Sequence, residues 1–195
     1  MGAGDDVVTI NGLEHNDRSI SVVGGGDKDA VVSYHCSISE LFLERVDEIE
    51  IVDLVCDDLL VNKYSGTSVP HRLGMELTDV TVHNELTVHG TGKGDVVSLT
   101  NTVVWGSTTF DLNAGSDLLY LDRAWFVEGL SAEFDSGNDM IYCDGLVYSG
   151  RNSAVRGGTT RRRGSSGDYY FDQIIINGHH SVNLGSASQW EDSDY

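Results

Sequence analysis

The chain has 195 residues, of which 31 are acidic and 12 are lysine or arginine, and its formal net charge is -19. This charge argues against general nucleic-acid binding, which requires a basic face, and favours cations, salt-rich surroundings or basic partners. No apolar run approaches the ~18 residues of a membrane span. One proline and 23 glycines among 39% hydrophobic residues indicate a single soluble all-β domain with many tight turns.

Short runs of β-forming residues fill the first half of the chain. Asp6 and Asp29 each open such a run, and further runs occupy residues 49–51, 59–61, 80–82 and 86–88. Residues 67–74 contain the only proline, Pro70, and are predicted to form an inserted loop. Asp29 and Asp95 are 66 residues apart, but the residues between them do not keep a fixed phase.

A repeat of 22 residues is visible in the second half of the chain. Asp95, Asp117 and Asp139 fall in one column when the chain is aligned with itself, and a glycine precedes each of them by one or two residues. Self-similarity at a fixed period of this length indicates a solenoid.

Each repeat contains three strand-like runs and no helical period. The runs are residues 96–99, 103–105 and 108–112, then 118–121, 125–127 and 130–134, then 140–143 and 146–148. Because side chains alternate along a strand, one face of each first run is predicted to lie inside: Val97, Leu99, Leu119, Leu121, Ile141 and Cys143. Each strand should pair with its copy one repeat further along, as in a parallel β-helix.

A coil of about 22 residues resembles the coils of right-handed, pectin-lyase-like β-helix proteins more than the shorter coils of the left-handed hexapeptide type. The resemblance implies an all-β fold, a single-domain right-handed parallel β-helix. We predict β-helix coils over residues 1–150, an arginine-, glycine- and serine-rich loop over 151–167, and a final coil or cap with an acidic tail over 168–195.

The aspartate column is the first candidate for chemistry. The pattern Gly-x-Asp-x-apolar around Asp117 and Asp139 loosely resembles half of the hemolysin-type calcium repeat. Stacked carboxylates repel each other unless a hard cation bridges them, so the resemblance implies a calcium site at Asp95, Asp117 and Asp139. The alternative is that each aspartate accepts backbone N–H bonds at a coil corner.

Five of the nine arginines lie within thirteen residues, which is the second candidate. Guanidinium groups bind carboxylates, sulfates or phosphates bidentately, so this cluster is predicted to bind a partner, including the acidic flank of a neighbouring copy. The alternative is a solvated loop on the chain's own acidic coils. The cluster consists of Arg151, Arg156, Arg161, Arg162 and Arg163.

A catalytic group is the third candidate. Pectin-lyase-like enzymes act on acidic polysaccharides with clustered carboxylates, often with calcium, and with an arginine or lysine on the outside of one sheet. The resemblance implies that Asp122 and Asp144, one coil apart, form such a group with Arg123. An exposed ladder of ion pairs is the alternative.

The cysteines and the N-terminus carry little functional information. Cys36, Cys56 and Cys143 lie beside strand residues and are predicted to be buried free thiols. The first six residues have neither the basic region nor the apolar core of a secretory signal. We nevertheless favour an extracellular or cell-surface location.

These features predict a non-enzymatic structural or adhesive solenoid. It would self-associate into a homo-oligomer or filament, through an uncapped N-terminal coil or the arginine cluster, or bind a surface polymer such as a polysaccharide. Calcium is a candidate cofactor, and no nucleic-acid partner is expected. The alternative is a carbohydrate-active β-helix that cleaves or binds an acidic polysaccharide.

Overall fold

The computed structural model describes residues 2–62, 71–150, 152–157, 173–176, 186–188 and 191–192, with side chains at 2–14, 17–62, 71–150 and 152–157. No described residue is helical, and hence no helix of this part is long and apolar enough to cross a membrane. The described chain is built from strands and the turns between them.

Eighteen strands follow one another along the described residues. The first six are β1 (Val7–Asn11), β2 (Glu14–Val23), β3 (Ala30–Glu44), β4 (Glu48–Asn62), β5 (Gly74–Thr78) and β6 (Thr81–His89). The next six are β7 (Val96–Thr100), β8 (Val103–Val104), β9 (Ser107–Asn113), β10 (Leu118–Asp122), β11 (Trp125–Phe126) and β12 (Gly129–Phe134). The last six are β13 (Met140–Asp144), β14 (Tyr148–Ser149), β15 (Ala154–Arg156), β16 (Gln173–Ile176), β17 (Ser186–Ser188) and β18 (Glu191–Asp192).

The strands stack in parallel register on three faces of a solenoid. The first face contains β1, the first part of β3 and of β4, β5, β7, β10, β13 and β16. The second face contains the middle of β3 and of β4, the start of β6, then β8, β11 and β14. The third face contains the end of β2, β3, β4 and β6, then β9, β12, β15 and β17. This arrangement confirms the predicted parallel β-solenoid and its spacing of about 22 residues.

Two irregular turns explain why the repeat is hard to see before Asp95. Ala30 pairs with Glu48, 18 residues along, and Glu48 pairs with Gly74, 26 residues along. The short and the long turn together span two regular periods, so Asp29 and Asp95 keep the spacing of three periods. Gly74 is the first residue of β5 and not part of a loop, so the end of the predicted insertion at 74 was wrong.

The core is the row of inward side chains that the alternation predicts. All six predicted inward residues from Val97 to Cys143 are buried, together with Phe110, Phe126 and Phe134. The three cysteines are free and buried, as predicted. Burial raises the pKa of the Cys56 and Cys143 thiols to about 12, so both are protonated and unreactive at neutral pH.

One residue with positive φ turns the chain from the first face to the second in every turn from β1 to β14. Asn, Asp and Gly tolerate this left-handed conformation best, and five of the seven positions carry one of them. The φ angles lie between 51° and 65° at Gly12, His35, Asp53, Asp79, Asn101, Arg123 and Gly145. The side chains on either side of this corner therefore point outward from two adjoining faces.

Strand pairing continues past residue 150. β15 pairs with β12 on the third face, which extends the solenoid to Arg156 inside the segment predicted as a loop. The backbone of β16, within the predicted final coil, pairs with β13 on the first face. Residues 158–172 lie outside the described part of the chain.

Candidate functional site

The aspartate column lies at the corner where each turn enters the first face. Asp117 Oδ1 accepts the Asp95 N–H at 2.7 Å, and Asp139 Oδ1 accepts the Asp117 N–H at 2.9 Å. Asp95 Oδ1 accepts the Leu73 N–H at 2.7 Å. All three aspartates are buried. Each carboxylate thus satisfies a backbone N–H of the preceding turn, where water cannot reach it.

The individual aspartates of the column differ in how many donors surround them. Asp95 also accepts the Thr91 N–H at 2.5 Å and the Thr91 hydroxyl at 2.7 Å. Asp117 Oδ2 is buried and has no hydrogen-bond partner among the described residues. Burial, followed by the charges of Asp95 and Asp139, raises the pKa of Asp117 to about 8, although the bond from the Asp95 N–H opposes the shift.

Calcium binding by this column stays a prediction. No described part of the chain places three or more His, Cys, Asp or Glu side chains where they could hold a metal ion together. If the column does bind calcium, about 1 mM calcium should raise the thermal midpoint of the wild-type protein by mass action. Asp117→Asn should abolish that rise. A wild-type midpoint that does not move with calcium would remove the ion from the description of this protein.

The arginine cluster falls largely outside the described residues. Arg151, Arg161, Arg162 and Arg163 lie in the undescribed stretches. Arg156, the fifth, is exposed on β15, and its guanidinium lies 3.3 Å from the Glu133 carboxylate on β12. An exposed pair of this kind adds little to stability, so Arg156 is held loosely enough to exchange partners.

The structure brings the predicted carboxylate pair together with its arginine. Asp122 and Asp144 are register partners at the ends of β10 and β13. Arg123 is the corner residue that follows Asp122, and its guanidinium donates to Asp122 Oδ2 at 2.9 Å. Asp144 Oδ1 accepts the Gly145 N–H at 2.9 Å. Three polar groups therefore converge on one corner of the solenoid.

Two stacked tyrosines lie beside these carboxylates on the first face. Tyr120 and Tyr142 are register partners, with ring centroids 5.3 Å apart and planes 9° from parallel. The Tyr120 hydroxyl lies 3.5 Å from Asp144 Oδ2. Burial, with the charges of Asp144 and Asp122, raises the pKa of Tyr120 above its ordinary value. The hydroxyl therefore keeps its proton and can donate a hydrogen bond.

Large aromatic side chains continue around the corner onto the second face. Trp125 on β11 is 46% exposed, and its register partner Tyr148 is 45% exposed. Their ring centroids are 6.4 Å apart with planes at 56°. Trp105, one turn earlier, is 53% exposed. We call these five aromatic residues, with Asp122, Asp144 and Arg123, the aromatic corner.

The aromatic corner stands on a rigid base. Beneath it, Leu119, Leu121 and Phe126 are fully buried, and Ile141 and Val147 complete the layer one turn on. Backbone bonds join the turns at 2.8 to 2.9 Å, from Trp125 N–H to Thr102 O and from Gly150 N–H to Phe126 O. Close-packed interiors fix the side chains above them, so the rings are displayed in fixed positions.

The predicted site contained the polar half of this corner and lacked the aromatic half. Tyr120 and Tyr142 are one 22-residue period apart, so the repeat itself could have paired them. Trp125 and Tyr148 are 23 residues apart because the turn after Asp144 has one extra residue. That insertion hides the pair from a fixed-period alignment.

Comparison with known proteins does not name a function. The chain matched no protein-family model, no curated protein and no solved structure. The functional argument therefore depends on the chemistry of the aromatic corner.

Proposed function

We propose that this protein is a non-enzymatic β-solenoid that binds a neutral polysaccharide through the aromatic corner. The observation that carries the proposal is the exposure of Trp105, Trp125 and Tyr148 on one face. Folded proteins rarely leave large apolar side chains clustered in water unless a ligand or partner covers them. Aromatic rings offer apolar faces, which match the C–H faces of sugar rings.

The polar groups of the corner suit the edges of the same sugars. Asp122 and Asp144 supply hydrogen-bond acceptors, and Arg123 and Tyr120 supply donors, next to the rings. A few placed polar groups on an apolar surface are what fixes the orientation of a ligand. Sugar hydroxyls both donate and accept, so this mixed set fits them better than it fits a purely apolar ligand.

The arrangement of the corner favours a polymer over a single sugar. Register partners on β10 and β13, and on β11 and β14, lie one strand spacing apart, about 4.8 Å, along the solenoid axis. A row of rings in fixed succession presents the same contact repeatedly. An extended chain of sugars can therefore occupy several contacts at once, each of which is weak alone.

Charge decides between neutral and acidic polymers. The chain has a formal net charge of -19, and two carboxylates lie in the corner itself beside one arginine. A polyanion would be repelled at long range by this field. A neutral polysaccharide experiences no such repulsion, so we expect it to bind more tightly than an acidic one of equal length.

Binding to neutral and acidic polysaccharides, measured by affinity electrophoresis, tests the proposal. The wild-type protein is expected to be retarded by a neutral polymer and much less by a polyuronate. Trp125→Ala removes the central ring and should weaken the binding about tenfold, which corresponds to about 1.4 kcal/mol. Val55→Ala is the matched control, because Val55 lies in the same outward column of the second face but three turns earlier.

Three outcomes would contradict this function. Trp125→Ala might bind as tightly as wild type, or the wild-type protein might bind no polysaccharide at all. Release of new reducing ends from the polymer would instead establish the alternative, a carbohydrate-active enzyme that uses Asp122 and Asp144. Loss of that release in Asp144→Asn, with binding retained, would identify the carboxylates as its catalytic groups.

A further inference from the structure

A groove crosses the outer surface of the first face, far from the aromatic corner. It has a volume of about 340 Å³. Its floor is made by small or slim side chains on four successive strands, and glutamates and one arginine stand beside it. The floor residues are Ala30, Val32, Gly74, Val96 and Ser98, and the flanking residues are Glu48, Glu50, Glu76 and Arg72.

Glycine at position 74 opens this groove, and the backbone does not require it. A Cβ built on Gly74 would meet Asp47 O at 3.8 Å and Glu48 Cγ at 3.9 Å, which are ordinary contact distances. Its backbone does not have the left-handed φ that other residues resist. Any side chain larger than a methyl group would instead project into the groove between Glu48 and Val96, its register partners.

The walls of the groove are suited to a cation on a slim apolar stem. Glu50 and Glu76 are register partners on β4 and β5, and Glu48 lies two residues before Glu50 on the same outward face. The ammonium of Lys28 already lies 2.5 Å from the Glu48 carboxylate at the edge of the groove. Glu50 accepts the Tyr34 hydroxyl at 2.8 Å. Arg72 offsets one of the three carboxylates, so the lining residues keep an excess of negative charge.

The chain itself contains a segment of complementary chemistry. Residues 151–167 include five arginines and no acidic residue, within a chain that has only 12 basic side chains. Three of the arginines, Arg161, Arg162 and Arg163, are consecutive. An arginine side chain has an apolar stem that can cover the groove floor and a guanidinium that forms paired hydrogen bonds with a carboxylate.

The reach of this segment favours a second copy as its target. Arg161 to Arg163 follow Gly157 by four to six residues, an extended reach of about 13 to 20 Å. The groove centre at β5 is three strands from β13 on the first face, about 14 Å, and the segment must also cross over from the third face. Its own groove is within reach only near full extension, whereas a second copy imposes no such limit.

We propose that the glutamate groove of one copy binds the arginine-rich segment of a second copy. The two surfaces are different, so the contact is heterologous and each copy retains a free groove or a free segment. Repetition of the contact builds open assemblies longer than a dimer. This assembly depends on the groove and the segment, and is independent of polysaccharide binding at the aromatic corner.

Sedimentation velocity of the full chain, over a range of concentrations and at about 0.05 M and about 0.5 M salt, tests this contact. We expect association that grows with concentration beyond the dimer and weakens at the higher salt. Glu50→Gln with Glu76→Gln should weaken it at least tenfold, and so should glutamine at Arg161, Arg162 and Arg163. Gly74→Leu, which fills the groove, should do the same.

Two controls separate the contact from a general effect of charge. Glu85→Gln with Glu128→Gln makes the same change in net charge at exposed positions outside the groove, and should leave association unchanged. Charge reversal offers a rescue: a groove variant with arginine at Glu50 and Glu76 should not self-associate. It should bind a segment variant with glutamate at the three consecutive arginines.

Each remaining result would overturn the proposal. A wild-type protein that stays monomeric at every concentration would show that the segment lies elsewhere, including in its own groove. Association that survives Gly74→Leu or loss of the three arginines would assign the contact to another surface. Failure of the charge-reversed pair to bind would show that groove and segment do not meet.

Discussion

Replacement of Asp95 by asparagine should lower the free energy of unfolding by about 2 to 3 kcal/mol, whereas the same replacement at Asp117 should stabilise the protein near pH 8. The Asp95 carboxylate accepts three hydrogen bonds, from Leu73 N–H and from the amide and hydroxyl of Thr91. An asparagine amide would oppose one of these donors with its own N–H. A buried hydrogen bond to a charged group contributes about 1.5 to 3 kcal/mol.

Asp117 responds differently because only one of its oxygens is used. Oδ1 accepts the Asp95 N–H, and an asparagine oxygen can keep that bond. Oδ2 has no partner among the described residues, and burial raises the pKa of Asp117 to about 8. The folded protein therefore holds a proton that the unfolded chain has released. Asparagine removes this cost and should stabilise the protein by about 1 kcal/mol or more near pH 8.

The pH dependence of the difference between Asp117→Asn and wild type gives the sign. Below about pH 4, Asp117 is protonated in both states and contributes its full stability. As the pH rises from about 4 to about 8 the unfolded chain ionises first, so wild-type stability falls and then levels off above the folded pKa. The advantage of Asp117→Asn should grow over this interval.

Urea unfolding of wild type, Asp95→Asn and Asp117→Asn at several pH values measures all three expectations. Comparison of variants cancels the titration of the many other carboxylates. Equal losses in the two variants at every pH would mean that both aspartates are ionised and equally paired, and would refute the distinction between them.

Replacement of Gly106 by alanine should destabilise the protein by about 3 kcal/mol or more. Gly106 lies buried between β8 and β9. A Cβ at this position would lie 1.9 Å from Asn84 O and 2.7 Å from Asn84 C, which are backbone atoms of the preceding turn. No rotation of a side chain can relieve such a contact, so the stacking of two turns has to change.

Gly74→Ala is the matched control for this steric effect. The added methyl group at Gly74 makes only ordinary contacts, and loss of glycine from the unfolded chain should make this variant neutral or up to about 1 kcal/mol more stable. Thermal or urea unfolding of both variants measures the difference. A Gly106→Ala variant as stable as Gly74→Ala would show that adjacent turns can separate at little cost.

Which predictions succeeded follows from how local their evidence was. Alternation within a run of five residues placed Leu119 and Leu121 inside, because a strand has only two faces. The column of Asp95, Asp117 and Asp139 predicted stacked turns, because equal spacing brings equal positions into register. The turn around Gly74 was misplaced because a proline-containing insertion and a shortened turn shift the phase in opposite directions.

The candidate site divides in the same way. Asp122, Asp144 and Arg123 were predicted as a group because they belong to the regular repeats, and the structure brings them together. The aromatic residues were not included, since sequence alone does not state whether a tryptophan in a strand faces the core or the solvent. Phe126 and Trp125 are neighbours in the chain, yet one is buried and the other is half exposed.

By itself, the sequence determined that this chain is a parallel solenoid, which residues fill it, and that an excess of negative charge covers it. Those properties depend on period and composition, which are local or additive. Only the tertiary structure decided which buried aspartate oxygen lacks a donor, where glycine opens a groove, and which rings meet at a corner. Each of these depends on the atoms of a neighbouring turn, about 22 residues away in the chain but one strand spacing away in space.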